Sequence, residues 1–222
     1  MNVKALAAEL VGTFTLLFIG ILSGAAATQV GMTAGLVESA LGHGLAIGAM
    51  VSALGVISGG HFNPAVTCAF LATGRMRIRV GLQYVGAQLV GAFLGAILAR
   101  WVAVLPAGAG LPAVASISPV QAAVFEAVLT FFLVIVVFGT AVDLRAPKVG
   151  GLFIGLTIAV GVLAGGPYTG AAINPARWFG PALLDGNWMN ALVYTVGPIF
   201  GGIVAGLLYN GLFEDRPMTG KA

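Results

Sequence analysis

The sequence predicts an all-α membrane protein with six transmembrane helices and two re-entrant half-helices in an inverted repeat. Three observations carry that prediction. First, 59% of the 222 residues are hydrophobic and 8% charged, with a mean hydropathy of +1.04. That leaves too little polar surface to cover a water-soluble globule of this size. Second, charge is absent from residues 10–37, 39–74, 80–99, 101–125, 127–142, 150–176 and 186–213. Most of these runs reach the roughly 20 residues a helix needs to cross about 30 Å of hydrocarbon. Third, motifs recur at half-chain spacing, so that each half holds three spans. A strand-built barrel is excluded, because alternating segments of about 10 residues are missing.

The first span begins after Lys4 and carries Glu9. It is too long and too rich in glycine for a cleaved leader, so it is expected to remain as a helix. The run 39–74 is too long for one helix and too broken for two. Its apolar segment ends in the small-residue loop SGGHF, then Asn63, Pro64 and Ala65, then only about a dozen residues before charge. A dozen residues at about 1.5 Å each make about 18 Å, half a bilayer. Residues 63–73 are therefore read as a half-helix, whose proline suits a helix start. The third span fills 80–99 and ends at Arg100, and the fourth is interrupted only by Glu126. The fifth breaks in GGPYTGAAI, after which Asn174, Pro175 and Ala176 open a second half-helix, 174–184. The sixth lies within 186–213. Glycine pairs such as Gly44 and Gly48, Gly91 and Gly95, Gly151 and Gly155, and Gly197 and Gly201 suit close helix packing. The lone Cys68 rules out an internal disulfide.

Positive charge orients this bundle. Lys4, Arg75, Arg77, Arg79, Arg145, Lys148, Arg216 and Lys221 all fall on the side that both termini share. The positive-inside rule makes that side cytoplasmic, and a multi-pass protein of the plasma (cell inner) membrane is expected. The net charge of +3 then calls for no nucleic-acid partner. Glu9, Thr13 and Phe14 match Glu126, Thr130 and Phe131; Asn63 matches Asn174; Tyr84 and Gly91 match Tyr194 and Gly201. Three spans per half force the second copy to run upside down relative to the first. The chain reads as a single transmembrane channel domain, 1–222, with repeats of approximately 1–110 and 118–222. The half-helices then meet near the midplane, where irregular backbone is tolerated only if buried or lining a water-filled path.

"GGHFNPAVT", "INPARWFGPAL", the paired membrane glutamates and the six-span repeat resemble the aquaporin (major intrinsic protein) family across nearly the whole chain. The resemblance implies a passive, non-enzymatic channel in the lipid bilayer, assembled as a homotetramer, with no cofactor and no metal. Water and small neutral solutes would pass, and ions and protons would not. Glu9 and Glu126 would support the structure by accepting hydrogen bonds from the loops leading into the half-helices. The family pattern places the selectivity filter 20 residues before Asn63 and 12 and 3 before Asn174, at His43, Val162 and Ala171, with Arg177 as its fourth member. Histidine, a β-branched aliphatic, a small residue and arginine are similar to the filter of plant tonoplast intrinsic proteins, which also pass ammonia, urea or hydrogen peroxide. Trp178 and Thr195 depart from the water-channel pattern, and His61 is expected in the cytoplasmic vestibule.

The residues support the same mechanism independently. Facing helix N-termini put positive dipole ends at the midplane and oppose cations. Asn63 and Asn174 are each able to offer an amide donor to a passing water, or to serve only as N-caps. His43 carries one donor and one acceptor. A glycerol-type facilitator and an ion-coupled carrier stay open as alternatives; the carrier needs a titratable residue near the midplane, for which only Glu9 and Glu126 stand. An intramembrane enzyme lacks a nucleophile and base at workable spacing.

Overall fold

The computed structural model describes residues 2–29, 35–146 and 149–214. Its helices are α1 (Val3–Gln29), α2 (Leu36–Ser58), α3 (Pro64–Ala72), α4 (Ile78–Ala103), α5 (Pro119–Val137), α6 (Gly150–Thr169), α7 (Pro175–Asp185) and α8 (Ala191–Leu208). Short π-helical turns, Phe138–Val142 and Tyr209–Phe213, prolong α5 and α8. Among the described residues six helices are long and apolar enough to span a bilayer, and the chain is an integral multi-pass membrane protein. The other two, α3 with 9 residues and α7 with 11, cross only part of that thickness. Of the charges used to orient the bundle, Lys148, Arg216 and Lys221 lie outside the described residues.

Local signals set the helix ends. Ser118 and Gln121 form a capping box ahead of α5, with Pro119 at its first position. Helices α2 and α6 both stop at a left-handed glycine, Gly59 at φ 90° and Gly170 at φ 71°. Each glycine turns the chain out of its helix and toward the asparagine that starts the next half-helix.

The spans pack as pairs, α1 on α4, α5 on α8 and α2 on α6, while α3 rests on α8 and α7 on α4. Glycines allow this approach. A Cβ on Gly91 would stand 2.3 Å from the Leu10 carbonyl oxygen, and one on Gly201 only 1.9 Å from that of Ala127. Between α2 and α6, Gly44 and Gly155 face each other's carbonyls at 2.6 and 2.4 Å by the same measure. Lipid is as apolar as leucine, so burial from water does not drive these contacts; van der Waals packing of close backbones does. At one end of the bundle Arg75 pairs with Glu214 and lies over the Phe138 ring. Nearby, Arg145 pairs with Asp143 at 2.6 Å and also donates to the Phe213 carbonyl. These contacts gather the ends of α3, α5 and α8 on one face.

Candidate functional site

Two glutamates organise the loops that enter the half-helices. Glu9 accepts four hydrogen bonds: Ser58 Oγ and the His61 N–H on Oε1, the Phe62 N–H and Gln88 Nε2 on Oε2, at 2.7 to 3.0 Å. Glu126 accepts Thr169 Oγ1 at 2.7 Å and the Ala172 and Ile173 N–H groups at 2.8 and 2.6 Å. Both carboxylates are fully buried. The four loop amides would otherwise be buried without partners, at about 1–3 kcal/mol each. The backbone here resists its own conformation: Phe62 and Ile173, whose N–H groups donate to the glutamates, have φ of 47° and 55°, and Ala171, whose N–H donates to Thr169 Oγ1 at 3.1 Å, has φ of 43°, a left-handed region unfavourable for residues with a Cβ.

Asn63 and Asn174 use their amides in the same way. Each Oδ1 caps its own half-helix, accepting from the N–H of Ala65 at 2.8 Å and of Ala176 at 2.9 Å. Each Nδ2 reaches across: Asn63 donates to the Ile173 carbonyl at 3.0 Å and Asn174 to the Phe62 carbonyl at 2.9 Å. Pro64 and Pro175 occupy the first helical position directly after these caps. Capping and donation are therefore compatible, because an amide nitrogen has two hydrogens and the cross-link takes one. Asn63 and Asn174 both line a cavity of about 10 Å³, room for about one water.

His43, Val162, Ala171 and Arg177 line that same cavity. A second, wider cavity of about 590 Å³ opens where α1 ends and α2 begins, and it shares His43, Val162 and Arg177 with the first. These three residues are thus common to both linings. Arg177 Nε donates to His43 Nε2 at 3.1 Å, and His43 Nδ1 meets the Ser39 carbonyl at 2.8 Å. That network assigns the proton to Nδ1 and leaves the Nε2 lone pair for arginine. The donor and acceptor expected of His43 are thus both taken up by protein groups. Arg177 lines both cavities as well, and its Nη1 is buried without a protein partner.

The remaining sequence candidates lie elsewhere. His61 is buried, 3.1 Å from Thr67 Oγ1 and packed between Phe70 and Tyr84, and it lines neither of these cavities. Trp178 stacks on Tyr194 with ring centroids 6.2 Å apart and lines neither of these cavities. Thr195 turns its hydroxyl to the Ala191 carbonyl of its own helix. Sequence reasoning missed Ser39, which orients His43, and Gln88, which bridges Glu9 and Thr67. It also missed Ser58 and Thr169, which share the 111-residue separation of Asn63 and Asn174 and were detectable by it.

The description "Major intrinsic protein" belongs to the family model that matches residues 1–209. Aquaporin TIP4-4 of Zea mays is 45% identical, over 95% of this chain and 87% of its own. Probable aquaporin TIP3-2 of Arabidopsis thaliana is 41% identical, over 94% and 83%. Among solved structures, the X-ray structure of the aquaglyceroporin from Plasmodium falciparum superposes with a TM-score of 0.89 at 26% identity, covering 96% of this chain and 97% of that one.

Proposed function

The chain belongs to the major intrinsic protein family, and on that premise we propose how it selects what it passes. It is a passive membrane channel for water and small solutes, not an enzyme. The path runs from the wider cavity, through the opening between His43, Val162, Ala171 and Arg177, to the midplane pair Asn63 and Asn174. The observation that carries this reading is the meeting of the two cavities at His43, Val162 and Arg177.

Arg177 keeps a fixed positive charge at the narrowest point, and the half-helix N-termini add their dipoles, so cations meet repulsion without hydration. A water held by the free amide hydrogens of Asn63 and Asn174 accepts from both and donates outward. It cannot continue a proton wire through that point. Glu9 and Glu126 spend their oxygens on loop donors, which argues against a proton-coupled carrier. The solute range extends to ammonia, urea and hydrogen peroxide, because valine and alanine leave room beside one polar wall. Glycerol fares worse, since no phenylalanine, tyrosine or tryptophan stands at positions 43 and 162 to face its carbon side.

The assembly is a homotetramer, with each chain a single channel domain made of inverted repeats of approximately 1–110 and 118–222. The twin glutamate brackets and crossed asparagine bonds support that repeat. Both termini face the cytoplasm, in keeping with the basic residues gathered at the ends of α3 and α5. As to the membrane, likeness to TIP aquaporins favours a tonoplast-type membrane over the plasma (cell inner) membrane expected from sequence.

Stopped-flow light scattering on reconstituted vesicles tests the reading, with water, urea and glycerol at matched gradients and conductance recorded in parallel. Water flux above empty vesicles with background current is expected, and proton or sodium current through the wild-type pore overturns it. In the same assay His43→Phe with Val162→His should lower urea and ammonia uptake while water flow persists. Equal solute uptake in both proteins would mean that the filter lies elsewhere.

A further inference from the structure

Arg100 stands outside the positive-inside pattern, and its surroundings give it a task. From the last turn of α4 it forms a two-pronged ion pair with Asp185 at the far end of α7, Nη1 to Oδ1 at 2.5 Å and Nη2 to Oδ2 at 2.7 Å. Both side chains are nearly enclosed, 9% and 12% exposed. The pair also grips the loop of residues 104–118 that joins α4 to α5. Arg100 Nε donates to the Ala109 carbonyl at 2.9 Å, and the Gly108 N–H donates to Asp185 Oδ2 at 3.1 Å.

The loop then crosses α1, where a Cβ on Gly110 would stand 2.4 Å from Ile21 Cγ1. At its far side the Ala115 N–H donates to the Tyr168 carbonyl at 2.8 Å. Pro112 abuts Gly170 so closely that a Cβ there would lie 2.8 Å from the proline Cα. Gly170 precedes Ala171, a filter residue whose φ of 43° persists only under restraint from its neighbours. Glu126 restrains the loop after Ala171 from inside the bundle, through the Ala172 and Ile173 amides. The 104–118 loop is the abutment on its other side.

We propose that Arg100 and Asp185 are positioning residues for selectivity: their ion pair clamps the 104–118 loop, the loop braces Gly170 and Ala171, and the brace sets the width of the opening beside His43 and Arg177. The proposal rests on the conduction path given above. Neither residue touches a permeating molecule. Arginine suits the post because its planar fork serves two carboxylate oxygens and a carbonyl at once, which an ammonium does not.

Removing one partner alone would leave a nearly enclosed charge unpaired and strongly destabilise the fold. The test is therefore the double variant Arg100→Met with Asp185→Leu, which removes both charges and keeps most of the bulk. Water and urea permeabilities are measured in reconstituted vesicles, and hydrogen exchange is followed across residues 104–118. The urea-to-water ratio should rise by roughly 2- to 30-fold, the span that residues acting through others exert, with faster exchange at Gly108. A wild-type ratio in a water-conducting variant overturns the proposal, and so does an altered ratio with unchanged loop exchange. If the double variant does not fold, Arg100→Lys takes its place: the charge pair stays, the grip on Ala109 goes, and a wild-type ratio again overturns the clamp. Absence of water flux in the wild type would instead overturn the conduction path itself.

Discussion

Arg177 and His43 are joined by one hydrogen bond of 3.1 Å, and what each offers a permeating molecule follows from it. With Nδ1 on the Ser39 carbonyl and Nε2 on arginine, the imidazole acts as a wall and a strut. The guanidinium keeps one nitrogen, Nη1, buried and without a protein partner. Arg177→Val should therefore do more than remove a charge. It widens the opening, strips the cationic barrier and leaves His43 Nε2 without its donor. Urea permeability should rise several-fold over wild type and a proton leak should appear, both measurable in vesicles carrying a pH-sensitive dye. Unchanged rates in a folded variant would show that the arginine is not at the constriction. The family pattern, counted from the two Asn-Pro-Ala motifs, brought His43 and Arg177 to notice, but spacing carries no information on which nitrogen faces which partner.

At the scale of elements, the contacts that hold the bundle are backbone to backbone. The built Cβ at Gly201 falls 1.9 Å from the Ala127 carbonyl oxygen, and α5 and α8 cannot both keep their places around it. Gly86, in the middle of α4, has nothing within 4 Å of the same built atom. The chemically identical change therefore has opposite expected signs at the two positions. Gly201→Ala should lower the thermal midpoint of the detergent-solubilised protein, with a penalty of about 1–3 kcal/mol or more from overpacking. Gly86→Ala should be neutral or raise it, by up to about 1 kcal/mol of helix propensity. Glycine spacing in the sequence marked Gly201 as a packing position. Which helix lies against it depends on the order of spans in space.

Across the whole molecule, ion pairs sit at both ends of the bundle and respond to acid in the same direction. The Arg100 guanidinium beside Asp185 holds its carboxyl below the usual carboxylate range. At the opposite end Arg145, with the Tyr209 hydroxyl, does the same to Asp143. A carboxyl whose folded pKa is depressed contributes stability that is present above its unfolded pKa of about 3.9 and is lost as pH falls through the lower folded value. Asp185 faces Arg100 and the Gly108 amide, so acid reaches the clamp only below that range. The urea-to-water ratio should stay flat when the bathing pH is taken from 8 to 5, and a step within that window would contradict the assignment of Asp185.

The sequence by itself determined the apolar segments, their count and length, the two places where a span breaks and a half-helix begins, and the asparagines and arginine that follow those breaks. These are local properties, set by hydropathy over about 20 residues, by proline and glycine at helix ends, and by short motifs. Tertiary structure alone decided the partnerships. Asn63 bonds to a carbonyl 110 positions away, His43 meets an arginine 134 positions away, and Arg100 closes on an aspartate 85 positions away. No periodicity encodes such pairs. They arise because polar side chains, shielded from bulk water inside the bundle, take whichever donor or acceptor the packing of backbones brings within about 3 Å.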